Sequence, residues 1–145
     1  MKIVICSSID FSQKLAEVKK ELEKKKHEIE IPLYAKKIIN GEVSMTDYLK
    51  EKEKNGDLEL RKKSKEDLIK RHFNNIKTCD AILVLNYDKK GIKNYVGGNT
   101  FLEMGFAYVL NKKIFLLNPV PELNYKDEIE AMKPIILNGD LDLIK

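Results

Sequence analysis

Asp80-Ala81-Ile82-Leu83-Val84-Leu85-Asn86 is the stretch that decides the fold. Five consecutive apolar residues stand between two polar ones, so neither side of this segment is fitted to face water. A strand apolar on both faces belongs to a parallel sheet covered by helices above and below. Outward from it, Ile3-Val4-Ile5 opens the chain and Ile114-Phe115-Leu116-Leu117 follows it, each a short apolar run stopped by polar or turn residues. Ile29 with Ile31, and Ile135-Ile136-Leu137, supply two weaker strands. The spacing therefore predicts strands near 2–7, 28–31, 81–86, 113–117 and 135–137.

Helical periodicity fills the gaps. Leu15, Val18 and Leu22 recur at helical spacing between residues 11 and 26, and the run Lys24-Lys25-Lys26 falls where cations complement a helix C-terminus. A mostly apolar helix is expected from Asn99 to Leu110 and a short one near 125–133. Strands separated regularly by helices predict a three-layer α/β fold with a five-stranded, mainly parallel sheet, flavodoxin- or Rossmann-like, in a single domain spanning 1–145. The polar, lysine-rich stretch 33–78 reads as a helical excursion within that domain. Asn40-Gly41 and Asn55-Gly56 punctuate it as turns, and Ser64-Lys65-Glu66-Asp67 resembles a capping box. Helices are predicted over 44–54 and 64–78, the second carrying Leu68, Ile69, Phe73 and Ile76.

Composition narrows the functional classes. A chain of 145 residues with 43% hydrophobic and 34% charged residues can bury one core and keep a solvated surface. Its 27 basic and 23 acidic residues are interleaved, which argues against nucleic acid as a partner. No apolar run approaches the roughly 20 residues of a membrane span. Cys6 and Cys79 have no metal-binding or redox spacing and sit at strand edges, as buried thiols in a reducing compartment do. A cytoplasmic protein is expected.

In an open parallel sheet, ligands bind beyond the carboxyl ends of the strands. Three segments lead there: Cys6-Ser7-Ser8-Ile9-Asp10-Phe11, Asn86 to Thr100, and Asn118-Pro119-Val120-Pro121-Glu122. Gly97-Gly98-Asn99-Thr100 reads as a flexible turn, an N-cap at Asn99 and a helix start whose free N–H groups suit an anion. Glu103 follows among apolar neighbours, on the helix face of Asn99 and Thr100. Two readings of Glu103 stand side by side: a functional carboxylate, or the partner of Thr100 in a capping box. His27 and His72 have no partner at metal-ligand spacing.

The segments Ile5-Cys6-Ser7-Ser8-Ile9, Cys79 to Leu85, Gly98-Asn99-Thr100-Phe101-Leu102-Glu103-Met104-Gly105-Phe106-Ala107-Tyr108 and Lys113 to Leu117 together resemble the nucleoside 2-deoxyribosyltransferase family, which includes 2'-deoxynucleoside 5'-phosphate N-hydrolases. Order and spacing agree from Met1 to about Leu117, with no useful match over 33–66. The resemblance implies cleavage of an N-glycosidic bond, or transfer of the deoxyribosyl group, on a nucleoside or nucleoside 5'-monophosphate. Glu103 would be the nucleophile, and Ser7, Ser8, Ile9, Asp10, Gly97, Gly98, Asn99 and Thr100 would hold sugar or phosphate. No metal or organic cofactor is implied, and a homodimer or larger homo-oligomer is. The chain departs from the family's pattern at three positions. Asp10 stands where phosphate-hydrolysing relatives can carry Arg, His72 where members often place Asp, and Gly97 where a further carboxylate is usual. His72 or Asp88 then becomes the group expected to protonate the departing base. A module of the same fold that binds nucleotides without turnover is the alternative, and a non-enzymatic scaffold a third.

Overall fold

The five apolar runs pair into one sheet. β1 (Lys2–Ser7), β2 (Glu28–Glu30), β3 (Ala81–Leu85), β4 (Lys113–Leu116) and β5 (Ile135–Ile136) lie in the order β2-β1-β3-β4-β5, and every pairing is parallel. The computed structural model describes the backbone of residues 1–54 and 58–145 and the side chains of 1–48, 50 and 62–145. The helices are α1 (Ser12–Lys24), α2 (Leu33–Ile39), α3 (Met45–Lys54), α4 (Leu58–Lys77), α5 (Gly98–Val109) and α6 (Lys126–Ala131). The α/β fold expected from the sequence is the fold observed, with the sheet wholly parallel.

Side-chain alternation divides the core in two. Ala81, Leu83 and Leu85 of β3 join Ile3, Ile5, Leu15, Leu22 and Phe115 on one face. Ile82 and Val84 join Val4, Cys6, Ile76, Met104 and Leu116 on the other. All five β3 residues are buried, as a strand covered on both faces must be. Both cysteines are buried and free.

Strand order fixes where a ligand can enter. The chain steps from β1 outward to β2, then returns past β1 to β3. The connections leaving β1 and β3 therefore diverge, and a crevice opens between their carboxyl ends, where Ser7 pairs with Leu85.

The excursion after β2 is more helical than the sequence suggested. Leu33–Ile39 forms α2, which periodicity did not reveal, and it buries only Ala35. Gly41, at φ +74°, ends it in the turn expected at Asn40-Gly41. The expected turn at Asn55-Gly56 lies outside the described residues. Ser64 does not cap a helix, because α4 already runs from Leu58 and Ser64 stands inside it. The strong helix formers from Leu58 to Lys63 carry the helix through, and Glu66 pairs one turn on with Lys70 at 2.8 Å. Among the described residues, no helix is long and apolar enough to cross a membrane.

Candidate active site

Among the described residues, Glu103 is the one charged side chain that is buried. It is 6% exposed, in the second turn of α5, and His72 Nδ1 lies 2.5 Å from its Oε1. α5 begins at Gly98, with Gly97 as an N-cap that makes no side-chain cap bond. Asn99 is thus not the N-cap, and Glu103 stands too far along the helix to close a capping box. Glycine at 97 moves the helix start forward. The capping reading of Glu103 falls with it, and the carboxylate is engaged by a side chain of α4 instead.

That partnership is built by packing. The rings of Phe73 and Phe106 meet edge to face with centroids 5.3 Å apart, pinning α4 on α5 beside the His72–Glu103 contact. From β1, Cys6 approaches the same carboxylate. Burial pushes its thiol well above the ordinary 9.0, and the negative charge of Glu103 pushes it further, so Cys6 stays neutral.

Glu103 and His72 open onto a cavity of about 530 Å³, within the size range of small-molecule sites. Ser7, Ser8, Ile9 and Asp10 line it from the end of β1, and Gly97, Gly98, Asn99 and Thr100 from the start of α5. A Cβ built on Gly98 would meet nothing within 4 Å, whereas one on Gly97 would meet the Tyr95 ring at 3.3 Å. Small residues thus keep the backbone accessible at one point and let Tyr95 close on it at the next.

Asp88 lies elsewhere. Its carboxylate accepts from Asn94 N–H at 2.9 Å, and Tyr95 N–H bonds Tyr87 C=O at 2.9 Å, so residues 87–95 form a small hairpin that Asp88 staples. It is not among the residues lining the cavity. The segment Asn118–Glu122, expected to border the ligand, does not line it either. Asn86, fully buried, ties that segment down: its Nδ2 donates to Asn118 and Pro119 C=O at 3.0 and 3.1 Å, and its Oδ1 accepts from Asn118 N–H at 2.8 Å. Removing the amide leaves the part-buried Asn118 N–H and the Asn118 and Pro119 carbonyls without this partner. Asn86→Ala is therefore expected to destabilise the fold by about 1–3 kcal/mol in denaturant titration.

Several lining residues were not legible in the sequence. Tyr34 and Tyr48 come from α2 and α3, with centroids 4.8 Å apart, and Leu68, Ile69 and Lys65 come from α4. Lys89 and Lys90 sit at the tip of the hairpin. Lys89 Nζ donates to Ser8 Oγ at 2.6 Å and pairs with Asp10 at 2.8 Å. The acid at position 10 is thereby paired with a lysine from another loop. Among the described residues, no group of three or more His, Cys, Asp or Glu is placed to hold a metal ion.

The fold and site define a class: a flavodoxin-like parallel sheet with a buried carboxylate–imidazole pair at its switch-point crevice. A scan against protein-family models finds no match, and neither does a search of curated proteins. Among solved structures, the chain is similar to Clostridium botulinum CMP N-glycosidase, BcmB. The TM-score is 0.50 at 17% identity, over 95% of this chain and 90% of that one. At this identity the similarity shows a shared fold alone.

Proposed function

We propose that the chain is an enzyme that cleaves the N-glycosidic bond of a nucleoside or nucleotide, with Glu103 as nucleophile. The observation that carries this reading is the buried Glu103 carboxylate, held through one oxygen by His72 and lining a cavity at the sheet's switch point. The fold it shares with a CMP N-glycosidase and the sequence resemblance support the same chemistry.

The Glu103 oxygen not held by His72 attacks the anomeric carbon through an oxocarbenium-like transition state. The C–N bond breaks and its electron pair leaves on the ring nitrogen of the base. His72, which touches the reacting carboxylate, gives that base a proton. Water then attacks the glycosyl ester, frees Glu103 and returns the proton to His72. A second base in place of water makes the reaction a transfer. Asp88 has no part in these steps, since its carboxylate is committed to the hairpin. Ser8, Asn99 and Thr100 orient the sugar, and Tyr34 and Tyr48 offer aromatic surface to the base.

Incubation with a panel of nucleosides and their 5'-monophosphates, reading free base by chromatography, tests the proposal. Release of base from at least one substrate is the expected result. Ligand binding without release from any of them would leave a non-catalytic binding module.

We also propose that the working unit is a homodimer or larger homo-oligomer. Ile69, Leu102, Tyr108 and Val109 are exposed apolar side chains on α4 and α5, and the first two also line the cavity. Light scattering at micromolar concentration is expected to give at least twice the chain mass, and a monomer alone would contradict it.

A further inference from the structure

Lys89 is placed in the cavity by its backbone. Lys90 and Gly91 both take positive φ, +54° and +71°, as the central pair of a type I′ turn does. Across them, Lys89 and Ile92 exchange backbone hydrogen bonds of 3.0 and 2.9 Å. A turn this tight leaves the Lys89 backbone little freedom. Its ammonium carries three protons, and Ser8 Oγ and Asp10 engage two of them.

The ion pair with Asp10 does little for the fold. The Lys89 and Asp10 side chains are 22% and 44% exposed, and pairs in contact with water contribute about 0–1 kcal/mol. Its two members nonetheless both line the cavity, and they come from different connections at the switch point. Lys65 and Lys90 bring the lining to three lysines, against the carboxylates of Asp10 and Glu103. A cation here, balanced by an exposed acid, is free to change partners when an anion of higher charge arrives. A phosphate monoester carries about −1.5 to −2 charges at pH 7, more than the single charge of Asp10.

We infer that Lys89 reads a phosphate on the ligand, exchanging Asp10 for a phosphate oxygen, so that the site prefers a nucleoside 5'-monophosphate to the matching nucleoside. This rests on reading the cavity as an N-glycosidase site. Ser8 Oγ keeps the ammonium in place during the exchange. Asp10 then faces the incoming phosphate as a like charge and weakens its binding. Position 10 thus tunes how strongly the monophosphate is held, and Lys89 decides whether the phosphate is sensed at all.

The test is equilibrium binding of the four common ribonucleosides and their 5'-monophosphates by calorimetry, on the Glu103→Gln background so that ligand survives. Lys89→Met is expected to lower monophosphate affinity about tenfold or more, the scale of one charge-assisted contact, and to move nucleoside affinity less than about twofold. Lys89→Arg, which keeps the charge and the stem, should retain the preference. Asp10→Asn should tighten the monophosphates and leave the nucleosides unmoved. Equal losses for both ligand classes in Lys89→Met would overturn the inference, as would no loss, no binding of any monophosphate, or weaker monophosphate binding in Asp10→Asn. Base release by the wild type, measured in parallel, reports separately on the proposed cleavage. Release with no role for Lys89 defeats this inference alone, and phosphate preference without release defeats the cleavage alone.

Discussion

Glu103→Gln is expected to slow base release at least a thousandfold while the protein stays folded. Gln has nearly the same shape, and it can still meet His72 through one side-chain atom. What it lacks is the anionic oxygen that the proposed mechanism needs for the glycosyl ester, so the covalent route would close. A thousandfold loss corresponds to about 4 kcal/mol of transition-state stabilisation, at about 1.4 kcal/mol per tenfold. The fall should appear in kcat as well as kcat/KM, because the missing interaction is made only on the way to the transition state. A second readout separates lost chemistry from lost structure. The charge of Glu103 helps hold the Cys6 thiol above 9.0, after burial itself. Removing that charge should bring the thiol down toward its ordinary range, though burial keeps it raised. A thiol raised in the folded state contributes stability that is present below about pH 9 and is lost as pH climbs through its folded value. In Glu103→Gln this alkaline loss should therefore level off at a lower pH than in the wild type, as read by denaturant titration from pH 9 upward. A variant that retains turnover would remove Glu103 from the chemistry.

The core of this molecule is readable in its sequence because its signals are local. Five apolar residues from Ala81 to Leu85 cannot form a half-buried strand, and that single fact implies helices on both faces and a parallel sheet. Glu103 is readable for the same reason, as a carboxylate amid Phe101, Leu102, Met104 and Phe106. The partners of Glu103 and of Asp10 are not local. His72 reaches Glu103 only because Phe73 and Phe106 lock α4 onto α5. Lys89 reaches Asp10 from a different loop, at the position just before a two-residue turn. No spacing along the chain encodes either meeting. α2 escaped notice because a seven-residue helix that buries one alanine leaves almost no periodic trace. Ser64 misled for the opposite reason: a capping pattern inside a run of helix formers has no helix end to cap. Asp88 shows that loop position alone does not fix a carboxylate's role, since this one accepts from Asn94 N–H in its own hairpin.

His72 is the second position where a large effect is expected, and there the pattern of losses matters more than their size. In its imidazolium form both ring nitrogens carry protons. Nδ1 faces Glu103 Oε1 at 2.5 Å, and in the proposed mechanism Nε2 would deliver the proton to the base. His72→Ala should then slow release by about a hundredfold to ten-thousandfold, the range general acid catalysis supplies. His72→Gln keeps a group that can reach Glu103 but has no proton to give, so it should recover little of the loss. The discriminating measurement varies the leaving base. A base that departs readily as an anion needs no proton, so the cost of losing His72 should shrink as the leaving base becomes more acidic. A plot of log rate against leaving-base acidity should be shallow in the wild type and steep in both variants. Equal losses across all bases, with near-complete recovery in His72→Gln, would show instead that His72 only positions the Glu103 carboxylate. The departing base would then draw its proton from solvent entering the cavity.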